Sequence, residues 1–190
     1  CGAMGMIAIG AGGLDVAVAM ATGKYYLQCP SVVKVNLTGK KAPWVSAKDI
    51  ILYILQQLTV KGGVNKIIEY TGDGVASLSL TDRATICNMG AELGATTSVF
   101  PTDERTKEYL AQQGRVDDYI EMKADEDATY DQELDVDLSA LVPMTAKPHS
   151  PDAVVPVKEL ERMKVNQVVI GSCTNSSFAD MMKAAKILKG

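Results

Sequence analysis

Val32-Val33-Lys34-Val35-Asn36-Leu37 alternates apolar and polar side chains, and Ser46-Ala47-Lys48-Asp49-Ile50-Ile51-Leu52-Tyr53-Ile54-Leu55-Gln56-Gln57-Leu58 follows shortly after it. The first run has the period of two that turns one strand face into a core. The second places Ile50, Ile51, Ile54, Leu55 and Leu58 on a single helical stripe. Gly39-Lys40-Lys41 supplies the turn between them, and Ser46 followed three residues later by Asp49 has the form of a capping box. Gly62-Gly63 closes the helix. The same alternation then recurs outward along the chain: a strand at 66–70, a helix opening at Thr81-Asp82 and running to about residue 93, a strand at 96–100 and a helix at 101–113. Strand and helix alternating at this spacing predict a mostly parallel sheet with helical layers, an α/β fold of three-layer α/β/α type.

Composition agrees with that interior. The 190 residues are 47% hydrophobic but only 5% aromatic, so the core is built from Val, Ile, Leu, Ala and Met. A formal charge of −4, without clustered Lys and Arg, argues against a nucleic-acid partner. No apolar run reaches membrane-spanning length uninterrupted, and no secretory pattern opens the chain. Cys1, Cys29, Cys87 and Cys173 are scattered without a CxxC pair, which suits a reducing cytoplasm better than a disulfide framework.

Toward the N-terminus, residues 3–21 are small and apolar, with Gly10, Gly12 and Gly13 close together. A dinucleotide loop would need a strand before the glycines and an acidic residue well after them, and neither is clear. Close approach of a helix to other backbone is the better reading. In the other direction, ten acidic residues lie from Asp117 to Asp137. A calcium loop requires a central glycine, and 115–137 has none, so a solvated helix and an edge strand are expected. Pro143, Pro148, Pro151 and Pro156 then mark a linker. The expected division is 1–30 as the tail of a preceding α/β domain, 31–150 as a central α/β domain, and 151–190 as the start of a following one. The apolar opening and the abrupt close after a helix lead us to expect an internal fragment of a multi-domain protein.

Past the prolines, Val168-Val169-Ile170-Gly171-Ser172-Cys173-Thr174-Asn175-Ser176-Ser177 reads as strand, turn and helix, with the strand at 165–170 and helical spacing at 178–188. Cys173 would then stand near a helix N-terminus, where backbone N–H groups stabilise a thiolate able to act as nucleophile or metal ligand. A small buried residue is the alternative. A second loaded stretch is Ala84-Thr85-Ile86-Cys87-Asn88-Met89-Gly90-Ala91-Glu92-Leu93-Gly94-Ala95-Thr96-Thr97-Ser98. Asn88 and Glu92, four apart on the expected helix, share one face among small residues. A carboxylate so placed suits a proton relay, with an exposed surface Glu as the alternative.

The Gly171 to Ser177 run resembles the first cluster-cysteine motif of the aconitase family. The run from Thr85 to Glu92, continued by Gly94-Ala95-Thr96-Thr97-Ser98-Val99-Phe100-Pro101, is similar to that family's segment carrying an active-site Asn and Glu. Lys61-Gly62-Gly63, Glu69-Tyr70-Thr71-Gly72 and Gly74-Val75 fit as well, so the resemblance covers nearly the whole chain and is weakest over 115–150. It implies the fold of the family's iron–sulfur domains and a [4Fe–4S] cluster held by three cysteines, with one iron left open as a Lewis acid. It also implies a serine base and dehydration–rehydration that interconverts citrate and isocitrate through cis-aconitate.

By the same resemblance Cys173 is a cluster ligand, Asn88 lies beside the cluster, and Glu92 is a hydrogen-bonding acid at the active site. The Cys-Gly-Pro-Cys ligand pair, the Asp-Ser-His element and the substrate arginines have no counterpart here. His149, the sole histidine, matches no active-site position and is expected at the surface. One thiolate cannot hold a cluster, so this chain by itself is expected to be inactive, its partners being the tricarboxylic substrate and the missing domains of the same protein. The 94–100 run leans toward the aconitate hydratase branch. Homoaconitate or isopropylmalate isomerisation is the alternative within the family, and a non-catalytic scaffold the alternative outside it. A thiol hydrolase built on Cys173 lacks a histidine partner.

Overall fold

The computed structural model describes residues 2–160 and 164–190; Cys1 lies outside the described residues. The chain opens with helix α1 (Gly13–Thr22), followed by β1 (Ser31–Thr38), α2 (Ala47–Leu58) and β2 (Lys66–Thr71). A 3₁₀ turn (Asp73–Ser77) leads into α3 (Leu80–Asn88), which tightens into a second 3₁₀ segment (Met89–Leu93) before β3 (Thr97–Val99). Then come α4 (Glu104–Gln112), β4 (Gln132–Asp137), β5 (Met144–Ala146), β6 (Val154–Pro156), the one-turn α5 (Ser172–Asn175) and α6 (Phe178–Lys189).

The expected sheet is present. Its strands run β3-β2-β1-β4, and each neighbouring pair is parallel. The alternation read in β1 buries Val33, Val35 and Leu37 completely, and Ile68 and Tyr70 of β2 join them on the same face. Ile50, Ile51, Ile54 and Leu55 of α2, with Ile86 of α3, close this core. Capping boxes set both helix starts: Ser46 with Asp49 for α2, and Ser79 with Asp82 for α3. Each reciprocal pair satisfies backbone donors that a helix start leaves open.

β3 and β4 lie at opposite edges, so the chain must return across the sheet between them. The return uses the face opposite α2 and α3. There Tyr130 donates to Glu69 at 3.0 Å, and Lys34 of β1 stands over the Tyr130 ring at 5.3 Å. Lys34–Glu133 at 3.2 Å and Asn36–Asp135 at 2.7 Å pair β1 with the edge strand β4. Much of the acidic stretch is therefore exposed coil ending in an edge strand, and its expected helix is reduced to a 3₁₀ turn at Val116–Asp118.

Arg83 is the largest fully buried side chain. Its guanidinium donates to both carboxylate oxygens of Asp103, to the Val75 carbonyl at 3.1 Å and to the Pro101 carbonyl at 3.4 Å. Because Asp103 is also the N-cap of α4, this one pair ties α3, α4 and the turn after β2 together. Partial burial works against the Asp103 charge, but Arg83 and the Thr106 and Arg105 amides outweigh it and hold the carboxyl below its usual range.

The structure departs from the sequence expectations in several places. Residues 165–170 form no strand: they are irregular coil with a bend at Asn166, and Val168 and Val169 are 77% and 81% exposed. A strand needs a neighbour for its backbone donors and acceptors, and among the described residues none pairs with this run. The proline-rich stretch is not a slack linker, because β5 and β6 pair antiparallel within it. That ribbon is pinned to α2: the Met144 amide donates to Asp49 at 2.6 Å, and Gln56 donates to the Val154 carbonyl at 2.8 Å. The helix in the glycine-rich start packs none of its residues away. The close approach expected there belongs instead to Gly2, where a Cβ would fall 1.8 Å from the Ser98 carbonyl oxygen, whereas Gly10 and Gly13 face open space.

Candidate functional site

The site grows from the end of α3. Asn88 is the last residue of that helix, and the chain then tightens to 3₁₀, so Asn88 and Glu92 do not continue one α-helical face as the spacing suggested. Asn88 is half-buried and Glu92 is exposed. The tightening is local in origin: Gly94 at φ 73° ends the segment with left-handed backbone, a conformation that costs glycine little.

Asn88 Nδ2 donates to the Cys173 carbonyl at 3.1 Å, across a separation of 85 residues. One turn earlier on α3, Thr85 Oγ1 donates to the Thr174 carbonyl at 3.3 Å. The turn bearing Cys173 is thus held against the end of α3, and the thiol itself is exposed. Cys173 lies within a four-residue helix and does not head the longer α6, whose start is capped by Ser177 accepting from the Asp180 amide at 3.2 Å.

A cavity of about 690 Å³ opens beside this junction. Glu92 and Met89 line it from the 3₁₀ segment, and Ser172, Thr174 and Asn175 from the cysteine turn. Lys48 of α2 and Lys183 of α6 line the same cavity. Two lysines beside a hydroxyl- and amide-rich turn can receive a small polycarboxylate, while Glu92 and Asp180 bring two carboxylates to the same space. No signal in the sequence distinguished these lysines from the dispersed, solvated ones. On the far side of α3, a cavity of about 300 Å³ is lined by Cys87, Asn88, Ser98 and Gly90.

The remaining reactive residue types lie apart from this chemistry. Burial pushes the Cys87 thiol up to about 12, which makes it a poor nucleophile and ligand. Burial beside Cys87 likewise raises the Tyr70 phenol well above its ordinary range. Cys29 is exposed. His149 is exposed on the β5–β6 ribbon, as the sequence led us to expect. Among the described residues, no three His, Cys, Asp or Glu side chains converge as a metal site. An iron–sulfur cluster therefore fits this chain only in part. Cys173 is exposed and of the residue type one ligand position needs, and among the described residues no further ligands gather beside it. Among the described residues, no helix is long and apolar enough to cross a membrane.

Comparison with known proteins bears directly on this arrangement. Residues 1–162 match the profile of the aconitase family (aconitate hydratase). The chain is 44% identical over 189 residues to the 3-isopropylmalate dehydratase large subunit of Clostridium kluyveri, covering 100% of this chain and 45% of that protein. It is 47% identical over 190 residues to the same enzyme's large subunit from Caldicellulosiruptor bescii, covering 100% of this chain and 44% of that protein. It is also 47% identical over 201 residues to the mitochondrial aconitate hydratase of Schizosaccharomyces pombe, covering 98% of this chain and 26% of that protein. The chain thus spans less than half the length of the curated relatives it matches.

Proposed function

The chain belongs to the aconitase family, and on that premise we propose that it is the part of a [4Fe–4S]-dependent hydro-lyase that supplies one cluster thiolate and two active-site side chains. Cys173 is the ligand, Asn88 the amide that holds the ligand turn, and Glu92 the carboxylate facing the substrate cavity. The observation that carries this reading is the Asn88–Cys173 bond at 3.1 Å, which joins two motifs 85 residues apart. When bound, the cluster supplies an open iron as a Lewis acid for a substrate hydroxyl and carboxylate. The chain's own residues orient and hold: Lys48 and Lys183 offer charge for substrate carboxylates, and Glu92 can accept or return a proton at its carboxylate oxygens. The remaining cluster ligands and the serine base belong to the rest of the protein. On this reading 1–30 ends a preceding domain, 31–150 is the central one, and 151–190 begins the domain of the cluster.

Citrate–isocitrate isomerisation through cis-aconitate is the first reading of substrate, supported by the Gly94-Ala95-Thr96-Thr97-Ser98-Val99-Phe100 run and by the aconitate hydratase relative. Isopropylmalate isomerisation is supported by the two large-subunit relatives. The test is to express the complete protein, reconstitute it anaerobically with iron and sulfide, and assay both substrates. Turnover of cis-aconitate supports the first reading, and turnover of isopropylmalate alone moves the function to the second. Cys173→Ser is expected to lose both cluster absorbance and activity. Full activity in that variant would refute the ligand assignment.

A further inference from the structure

The turn that carries Cys173 is too short to satisfy its own backbone. A helix leaves its last four carbonyls without internal partners, and α5 has only four residues. Three of its four carbonyls accept from side chains. Ser176 Oγ donates to the Ser172 carbonyl, Asn88 Nδ2 to the Cys173 carbonyl at 3.1 Å, and Thr85 Oγ1 to the Thr174 carbonyl at 3.3 Å. The last two donors come from α3, where positions three apart stand on one face. The turn also begins under constraint, because Ser172 adopts φ 68°, left-handed backbone that a residue with a Cβ adopts at a cost. A turn with an unfavourable start and an uncapped end would not hold its cysteine in one orientation.

We propose that Thr85 is a positioning residue for Cys173: together with Asn88 it caps the carbonyl end of the cysteine turn and so sets the bearing of the thiol without touching it. The proposal rests on the reading of Cys173 as a cluster ligand. Its chemistry needs only a hydroxyl donor at position 85, so serine should serve and valine should not. The Thr85 contact is long for a hydroxyl donor, so its loss should be worth a factor of roughly two to five in local opening.

The test compares Thr85→Val and Thr85→Ser with the unaltered sequence in the complete protein. In the metal-free form, hydrogen exchange across residues 172–177 should be two- to fivefold faster in Thr85→Val and unchanged in Thr85→Ser, while α2 and β1 exchange as before. In the reconstituted form, bleaching of the cluster by a chelator should accelerate by a similar factor in Thr85→Val alone. Equal behaviour of Thr85→Val and the unaltered protein overturns the proposal. So does a Thr85→Ser variant as impaired as Thr85→Val, and so does faster exchange spread over α2 and β1. Failure of the ligand reading is separable from these outcomes: a Cys173→Ser protein that still takes up a full cluster would refute that reading and leave the exchange result standing.

Discussion

Arg83→Met keeps an unbranched apolar stem but removes the buried guanidinium. Arg83 is 0% exposed and its partner Asp103 is 28% exposed at the side chain. Breaking a buried pair by removing one member costs about 3–5 kcal/mol, chiefly because the remaining charge is stranded. Here Asp103 is partly exposed and can regain water, which lowers the ion-pair part below that range, to about 2–3 kcal/mol. The Val75 carbonyl, which accepts from Arg83 at 3.1 Å in the interior, loses a donor and adds about 1 kcal/mol. The expected total is about 3–4 kcal/mol, a large share of the roughly 5–15 kcal/mol that holds a domain together.

Urea unfolding followed by circular dichroism measures this loss, and Asp103→Asn supplies the control. Asparagine keeps the α4 N-cap while removing the charge, so the cap and the ion pair are separated. The double variant Arg83→Met with Asp103→Asn should be less destabilised than the sum of the singles, by at least about 1 kcal/mol, since no stranded charge remains. A loss below about 1 kcal/mol for Arg83→Met, or strict additivity in the cycle, would refute the claim that this pair ties α3 to α4.

Other expectations follow from the same interior. For Asp82, burial opposes the charge, but Lys41 at 2.8 Å and the Ser79 cap outweigh it, so Asp82, like Asp103, has a folded pKa below its unfolded value. As pH falls the unfolded chain binds protons first, so the stabilisation is complete above about pH 5 and drains away through about pH 4 toward the lowered folded values. Urea midpoints measured from neutral to acid should show that slope, and a variant carrying both Asp82→Asn and Asp103→Asn should lose part of it, since Asp152, held low by Ser150 and the Val60 amide, keeps its own share; an unchanged slope would count against these two groups. In thiol mapping with an alkylating reagent followed by mass spectrometry, the exposed Cys29 and Cys173 should react promptly, and Cys87, half-buried with its thiol pushed up to about 12, far more slowly. Labelling of Cys87 as fast as that of Cys29 would contradict its raised pKa. Gly90→Ala would place a Cβ 2.3 Å from Ser98 Oγ and should cost about 1–3 kcal/mol. Ser98 Oγ has no hydrogen-bond partner among the described residues, so adding Ser98→Ala should restore most of that loss. A double variant as unstable as Gly90→Ala alone would show that the crowding lies elsewhere.

Local chemistry was enough to read β1, β2, α2 and α3. Their signals are alternation, helical spacing and, for α2, the Ser46-x-x-Asp49 cap, each of which acts within a few residues; the structure adds a Ser79–Asp82 cap to α3 and ends that α-helix at Asn88, short of the expected residue 93. The family, too, was legible, because the runs around Asn88 and Cys173 are continuous in sequence. What required the tertiary structure is whatever depends on a partner far along the chain. Residues 165–170 have every local mark of a strand and remain exposed coil, since pairing is supplied by a neighbour and not by propensity. Arg83 looks like any surface residue after a helix cap until Asp103 and the Val75 carbonyl close around it. Pro143 to Pro156 read as a linker because nothing nearby announces that Asp49 and Gln56 will pin them. Lys48 and Lys183 carry no motif at all, and nothing within its run singles out Thr85; all three join the site only because packing brings α2, α3 and α6 around one turn, 85 residues beyond Asn88. Propensity is a property of a few adjacent residues, whereas the pairing of distant donors and charges is decided only by where the folded backbone brings them.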